Sequence, residues 1–514
     1  MRSVLRAASM EKRVPLAYRL PALLFPLLFF VPALPPFVDY PQHVAIGAVL
    51  RRLADPTSFA SQQYVANLFT YNGLFDELVA LLSPPLPVEF AARLIVVVAL
   101  ELFVVGTFAL FRRQRTHAIA HLLLVPLLPS FALFWGFTNH LLGLGLGMVL
   151  VASLVAVVAD DDRRAWANLR VAAVALVLAH THVLATLIAL LIAASWVLDE
   201  AMRRSVTWPN RFRRVTHAAL LVAPACAFCM AVHLRQFASH AHTYVLASEA
   251  ETDTLLTKLQ WFGLRVTGAL RSHQDAHLVW AALLTAVVVA WFARGNRSSR
   301  SKAATLPLIV LMSAYLAVPS AFVGTYLVYP RLALPVAMLA LSLVPDSRRA
   351  LPRVLTGIGA LVALCTFIVT GSALWHFDAT ARDFLAVMNA VPATAHVTTV
   401  HAATTTDDYK LPVLQHLAAY QVAFHDTHAA GIFGGYASLP VRFRREDIAP
   451  LNTWLEGDGD RFSPADPYAK LFPVRVIILA HEGDPLPVWA TSNHRVLARR
   501  GCFVAVQEET IIGE

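Results

Sequence analysis

The chain has 514 residues, of which 57% are hydrophobic and only 15% are charged. Soluble proteins carry about 25% charged residues, so this composition excludes an ordinary soluble domain and indicates an integral membrane protein. The net charge of +9 does not indicate nucleic-acid binding, because the basic residues form short clusters between apolar segments, as cytoplasmic loops do. Neither a disulfide framework nor a metal site is predicted from the four cysteines, Cys226, Cys229, Cys365 and Cys502.

The first apolar segment, residues 16–38, is long enough to cross a bilayer. Several basic residues precede it, and these favour a cytoplasmic N-terminus. The sequence Asp-Tyr-Pro-Gln-His at residues 39–43 is therefore predicted at the outer mouth of the first span. We interpret the segment as a retained helix, because it is longer than a signal peptide and lacks an A-x-A cleavage site.

Apolar segments and basic clusters alternate along the rest of the chain and predict a total of about eleven spans. The segment 171–198 is assigned two short helices because both flanking loops are basic; one long tilted helix is the alternative. Glycines at 143, 145 and 147 indicate close helix packing rather than nucleotide binding. The predicted spans after the first are 88–111, 118–137, 140–159, the pair within 171–198, 217–234, 278–293, 303–323, 332–344 and 355–374.

The composition of the sequence changes after residue 374: apolar runs become shorter, and charged residues, glycine and proline become more frequent. The remaining residues are numerous enough for an independent domain. Their pattern predicts a helix over 411–424 and strands over 474–480 and 502–507. The sequence thus predicts an all-α multi-pass transmembrane domain, residues 1–374, followed by an extracytoplasmic α/β domain, residues 375–514.

The predicted topology brings several polar side chains to the outer ends of the spans. Ionisable groups at membrane depth are costly unless they line a polar cavity, so each is a candidate functional residue. Simpler roles remain open: a helix cap for the aspartate, turn positions for the histidines, a headgroup anchor for the arginine and an aromatic belt for the tyrosine. The candidates are Asp39, His43, His140, His180, His182, Tyr329 and Arg331.

This arrangement resembles the GT-C superfamily of membrane glycosyltransferases. That family has an acidic residue in the first external loop, where Asp39 lies, two closely spaced short helices, as in 171–198, and a late outer-face arginine, matched by Arg331. Many members end in a periplasmic α/β domain, to which residues 472–480 and 483–487 are similar. Some members carry adjacent acids in the first loop, but here Tyr40 follows Asp39, which leaves metal dependence open.

The resemblance implies an inverting transfer of a sugar from a polyprenyl-phosphate carrier to a glycan, lipid or protein acceptor. It places this reaction at the outer face of the inner (plasma) membrane. Asp39 would act as the catalytic base together with His43. The substrate or lipid phosphate would contact Arg331, His140, His180, His182 and Tyr329. The resemblance does not specify a cofactor, and a histidine or a divalent cation could assist Arg331.

Two other functional classes also contain proteins with many membrane spans. O-antigen ligases and polysaccharide polymerases also use lipid-linked sugars, but they place their key arginines in one large late external loop, which this chain lacks. Transporters and flippases commonly contain paired repeats with broken helices at matching positions, and no such halves are visible in the sequence. Glycosyl transfer therefore remains the preferred prediction, and the absence of G-x-x-x-x-G-K-[ST] argues against an ATP-driven pump.

Overall fold

The computed structural model describes residues 14–159, 165–202, 207–239, 253–293, 304–320, 327–346, 353–393, 395–401, 405–427, 439–444, 475–480 and 494–508. The basic residues before the first span and the segment 483–487 lie outside this part of the chain. The predicted fold class is confirmed, since the architecture is a multi-pass helical bundle followed by a C-terminal region that contains small β-sheets.

Helices form the bulk of the structure because the sequence consists of long apolar runs without turn residues. Two 3-10 segments, Phe25–Phe30 and Val125–Leu127, interrupt them near prolines. The helices are α1 (Leu16–Leu24), α2 (Tyr40–Arg52), α3 (Phe59–Gln63), α4 (Leu74–Leu82), α5 (Val88–Gln114), α6 (Ile119–Leu123), α7 (Phe131–Phe134), α8 (Thr138–Ala159), α9 (Ala165–Thr181), α10 (Val183–Met202), α11 (Trp208–Ser239), α12 (Leu255–Gln260), α13 (Phe262–Val266), α14 (Gln274–Phe292), α15 (Thr305–Ala317), α16 (Pro330–Ser342), α17 (Arg353–Met388) and α18 (Ala419–Phe424).

Six helices in the described part of the chain are long and apolar enough to cross a membrane, namely α5, α8, α10, α11, α14 and α17. Five shorter apolar segments accompany them: α1 with its 3-10 extension, α6 to α7, α9, α15 and α16. Each of the eleven predicted spans coincides with one of these segments. The stretch 171–198 is indeed two helices, because α9 ends at Thr181 and α10 begins at Val183.

The C-terminal region contains strands β2 (His396–His401), β4 (Arg475–Ala480), β5 (His494–Arg500) and β6 (Phe503–Glu508) in the sheet order β2-β4-β6-β5. Strands β2 and β4 are parallel, whereas β6 pairs antiparallel with both neighbours. The helix predicted over 411–424 was too long, because 411–418 forms turns and only α18 is helical. Helix α17 continues through residue 374 to Met388, so the two-domain division at that point stays a prediction.

The loop between α2 and α5, which the sequence predicts to be the first outer loop, is tied to the C-terminal region. Strand β1 (Tyr64–Ala66) in this loop pairs antiparallel with β3 (Val441–Phe443). The guanidinium of Arg52 at the end of α2 donates to the backbone carbonyls of Val422, Ala423 and His425 at the end of α18. These carbonyls lack partners within their own helix, so Arg52 satisfies them and fixes α18 against α2.

The glycines of α8 allow close packing on two sides, as the sequence predicts. A Cβ on Gly145 would lie 2.7 Å from the carbonyl oxygen of Ala99 in α5. A Cβ on Gly143 would lie 2.7 Å from the Cβ of Ala185 in α10. Small residues let the backbones of membrane helices approach each other, so α8 is held between α5 and α10.

Gly136 fixes the chain segment that begins α2. Its φ is +74°, a region that side-chain-bearing residues rarely adopt, and an added Cβ would lie 2.5 Å from the backbone nitrogen of Tyr40. The N–H groups of Val38 and Asp39 donate to the carbonyls of Phe134 and Trp135, at 2.9 and 3.0 Å. Only glycine lets this turn approach the 38–40 segment so closely.

Replacing Gly136 by alanine should destabilise the protein by about 1–3 kcal/mol, because alanine at positive φ is strained and its Cβ would push the 38–40 segment away. Thermal unfolding of the detergent-solubilised protein measures the effect. Gly371→Ala is the matched control, because a Cβ at that helical position meets nothing within 4 Å. Equal unfolding temperatures for Gly136→Ala and wild type would contradict the packing described for this turn.

Candidate active site

Asp39 lies between the first 3-10 segment and α2, at one end of the helical bundle. It occupies the N-cap position of α2, but its side chain makes no cap hydrogen bond. The carboxylate is therefore not used to cap the helix. Its side chain is 18% exposed, and its Oδ1 lies 3.5 Å from Nε2 of His416.

The environment of Asp39 makes it an unusual carboxylate. Burial raises the pKa of Asp39 to about 6, while the nearby charges of His43 and Arg331 act in the opposite direction. A carboxylate of this kind is ionised at neutral pH and is still basic enough to accept a proton from a hydroxyl nucleophile. Such a pKa, close to the working pH, is what a general base requires.

His43 lies one helical turn after Asp39 on α2 and is held by a carboxylate from α4. Its Nδ1 lies 2.8 Å from Oδ1 of Asp76, and Asp76 is completely buried. The other oxygen of Asp76 accepts from the amide Nδ2 of Asn139, the second residue of α8, at 3.1 Å. Asn139 in turn accepts the Phe75 N–H at 2.9 Å, so α2, α4 and α8 meet in one polar network.

Arg331 is the second residue of α16 and contributes the positive charge of the site. Its Nη1 lies 3.3 Å from Nε2 of His182, the residue between α9 and α10. Its guanidinium carbon lies 3.7 Å from the centre of the Phe137 ring. Stacking on an aromatic face holds the planar guanidinium in a fixed orientation.

His140 is fully buried beside His182, with their ring centres 4.9 Å apart and the rings edge to face. Among the residues that the structure describes, neither buried ring nitrogen of His140 has a partner at hydrogen-bond geometry. A buried polar group without a partner costs free energy and is often the position of a ligand or an ordered water. We call Asp39, His43, His140, His182 and Arg331 the outer cluster, after the side of the membrane that the sequence predicts for it.

Two of the sequence-predicted site residues belong to neighbouring networks rather than to the outer cluster. His180 is engaged through Nδ1 by the carbonyl of Thr70, at 2.8 Å, and through Nε2 by Glu77, at 2.9 Å. The hydroxyl of Tyr329 donates to Asp253, and its ring lies 4.7 Å from Nζ of Lys258. The substrate-binding roles of His180 and Tyr329 stay predictions.

A divalent cation beside Arg331 stays an alternative. Within the part of the chain that the structure describes, no group of three or more His, Cys, Asp or Glu side chains is arranged to hold a metal ion. His180 and His182 do not converge, because His180 faces Glu77 while His182 accepts the Ala185 N–H through Nδ1 and contacts Arg331.

Sequence reasoning missed three members of the site. Asp76 and Asn139 were hidden because acidic and amide residues at helix starts are commonly caps. His416 comes from the C-terminal region, where its Nδ1 lies 3.0 Å from Nε2 of Gln42. It approaches Asp39 across more than 370 residues of sequence, and no local pattern reports such a contact.

The apolar helices and the polar cluster at one end of the bundle define a multi-pass helical membrane protein. Its fold is similar to that of a membrane glycosyltransferase of solved structure, which agrees at the level of the fold with the resemblance predicted from the sequence. No known protein-family profile and no curated protein matches the chain.

Two solved structures of ArnT from Cupriavidus metallidurans are similar to this chain. The form bound to undecaprenyl phosphate has a TM-score of 0.56 and 12% sequence identity, and the match covers 97% of this chain and 98% of that chain. The apo form has a TM-score of 0.55 and 13% identity, covering 94% and 96% of the two chains. At such low identity the likeness concerns the fold alone.

Proposed function

We propose that the protein is a membrane glycosyltransferase that moves a sugar from a polyprenyl-phosphate carrier to a hydroxyl group of a glycan, lipid or protein acceptor. One observation carries the proposal: the largely buried carboxylate of Asp39 lies within the electrostatic influence of the Arg331 guanidinium, which the Phe137 ring and His182 hold in place. A proton acceptor and an anion-binding cation are the two groups that this reaction requires. The neighbouring fold of ArnT bound to undecaprenyl phosphate supports the choice of carrier.

In the proposed reaction the acceptor oxygen attacks the anomeric carbon of the bound sugar. A bond forms between these two atoms while the bond from the anomeric carbon to the phosphate oxygen breaks. The electron pair of the broken bond leaves with the polyprenyl phosphate, and the hydroxyl proton passes to Asp39. Attack opposite the leaving group inverts the configuration of the anomeric carbon.

Arg331 would stabilise the negative charge that develops on the leaving phosphate. Hydrogen bonds from a guanidinium to phosphate are charge-assisted and often bidentate. The ring of Phe137 and the contact with His182 hold Arg331 before the substrate arrives, so little reorganisation is needed during the reaction. His140, whose ring nitrogens find no partner at hydrogen-bond geometry in the described part of the chain, lies beside this pair and would complete the phosphate or sugar contacts.

The reaction is proposed at the outer face of the membrane. The start of α2 lies close to the first turn of α5, because the hydroxyl of Tyr40, the residue after Asp39, donates to the carbonyl of Glu89 at 3.2 Å. The opposite end of α5 carries Arg112 and Arg113 in its last turn. Basic residues flanking spans are retained in the cytoplasm, so the outer cluster would face away from it.

Cysteine labelling tests this orientation in a variant whose four native cysteines are replaced by serine. A membrane-impermeant maleimide added to intact cells should label Asp55→Cys, in the exposed turn after α2. It should label Arg112→Cys only after the cells are lysed, because that residue lies at the basic end of α5. The reverse pattern would place the outer cluster in the cytoplasm and reject the proposed location.

Asp39→Asn should lower the transfer rate by at least about 100-fold, because a positioned general base contributes 10²–10⁴-fold. The assay mixes the purified, reconstituted protein with a panel of undecaprenyl-phosphate-linked sugars and membrane extract as acceptor, and it measures the undecaprenyl phosphate released. The asparagine side chain has the same shape, so the protein should fold normally.

Asp55→Asn is the matched control, because Asp55 is exposed and its carboxylate accepts hydrogen bonds from the N–H and hydroxyl of Thr57, two residues further along the chain. Its activity should equal that of wild type. Full activity of Asp39→Asn would reject Asp39 as the base.

Arg331→Ala should weaken binding of undecaprenyl phosphate about tenfold or more, equivalent to at least about 1.4 kcal/mol. Arg331→Lys should restore only part of the affinity, because lysine cannot present a planar pair of donors or stack on Phe137 in the same way. Ligand-induced shifts in unfolding temperature measure the binding. Arg112→Ala, at the other end of the bundle, should bind as wild type does; equal affinity in Arg331→Ala would remove Arg331 from the phosphate site.

A further inference from the structure

The pair formed by His43 and Asp76 has no part in the reaction as described so far. Asp76 is completely buried, and His43 is 8% exposed. Burying a lone carboxylate is costly, and such groups are retained where they are paired and hydrogen-bonded. The position of this pair, one helical turn from Asp39 on α2, suggests that it acts on Asp39.

The hydrogen bonds around Asp76 suit its ionised form. Burial raises the pKa of Asp76, while His43 and Asn139 act in the opposite direction. Asn139 accepts the Phe75 N–H through Oδ1, at 2.9 Å, so its Nδ2 faces Asp76 and donates to Oδ2, at 3.1 Å. The carboxylate of Asp76 can then accept from Nδ1–H of His43 through Oδ1, at 2.8 Å. In this form Asp76 holds a proton on Nδ1 of His43, and Nε2 is the nitrogen that gains or loses the second proton.

The charges that face His43 favour the doubly protonated ring. Burial lowers the pKa of His43, but the carboxylates of Asp76 and Asp39 raise it above its ordinary value. The other titratable groups that face His43, Asp76 or Asp39 come from several elements. These are Glu77 beside Asp76 on α4, His182 between α9 and α10, Arg331 on α16, and His416 before α18.

Resting on the proposed function, we propose that Asp76 is a positioning residue that keeps His43 protonated beside Asp39 and thereby keeps Asp39 ionised, ready to accept the acceptor's proton. An opposite charge nearby favours the ionised form of a carboxylate, whereas burial favours the neutral form. Without the His43 charge, burial would dominate and a larger fraction of Asp39 would carry a proton at neutral pH. Asp76 thus acts on the reaction through His43 and does not touch the substrate.

Infrared difference spectroscopy tests this without knowledge of the sugar or acceptor. The C=O stretch of protonated Asp39 is the carboxyl band that wild type shows and Asp39→Asn lacks. In wild type this band should titrate with a midpoint near pH 6, and transfer should fall as the pH drops through that value. In Asp76→Asn the midpoint should rise by about one pH unit, the size expected when an opposite charge is lost.

His43→Gln provides a second variant, because glutamine can still donate an N–H to Asp76 but carries no charge. It should shift the Asp39 midpoint upward as Asp76→Asn does, while Asp55→Asn should leave it unchanged. A structural role alone would change the unfolding temperature and not this midpoint. A wild-type midpoint in either folded variant, Asp76→Asn or His43→Gln, would overturn the inference.

The two proposals fail in different ways. If Asp39→Asn retains full transfer, the proposed function is wrong, whatever the infrared midpoints are. If Asp39→Asn is inactive but the midpoint is unchanged in the His43 and Asp76 variants, only the inference about the pair is wrong.

Discussion

The structure depends on how it satisfies ionisable side chains that are removed from water at one end of an apolar bundle. Isolated charges in such a place are costly, and here they compensate one another. Asp39 lies in the field of Arg331 and His43, and Asp76 is bonded by His43 and Asn139. These residues come from different helices, so the charges can be satisfied only when the helices pack in one arrangement.

The outer cluster is also a composite of the membrane bundle and the C-terminal region. His416 approaches Asp39, Arg52 binds the carbonyls at the end of α18, and β1 pairs with β3. Residues around Asp39 are therefore held by two regions: the Gly136 turn packs against residues 38–40, and the C-terminal region bonds to α2 and to the loop after it.

The match to ArnT extends over nearly the whole of both chains at 12% identity. Helix packing tolerates such divergence, because apolar residues of similar size replace one another in a core at modest cost. A catalytic cluster tolerates much less, since the positions of its charges decide the reaction. The chemical argument for this protein accordingly rests on the geometry of its own Asp39, His43 and Arg331.

The sequence by itself determined the membrane class, the apolar segments that became spans, and the candidacy of Asp39 and Arg331, because hydropathy and basic flanks are local properties. It placed the start of the last helix at residue 411 instead of Ala419, and it did not predict that α17 continues to Met388. At both places packing overrides the local pattern. Only the tertiary structure joined Asp76 and His416 to the outer cluster and separated His180 from it. Such contacts depend on which helix faces meet, and this is decided by packing between segments far apart in the chain.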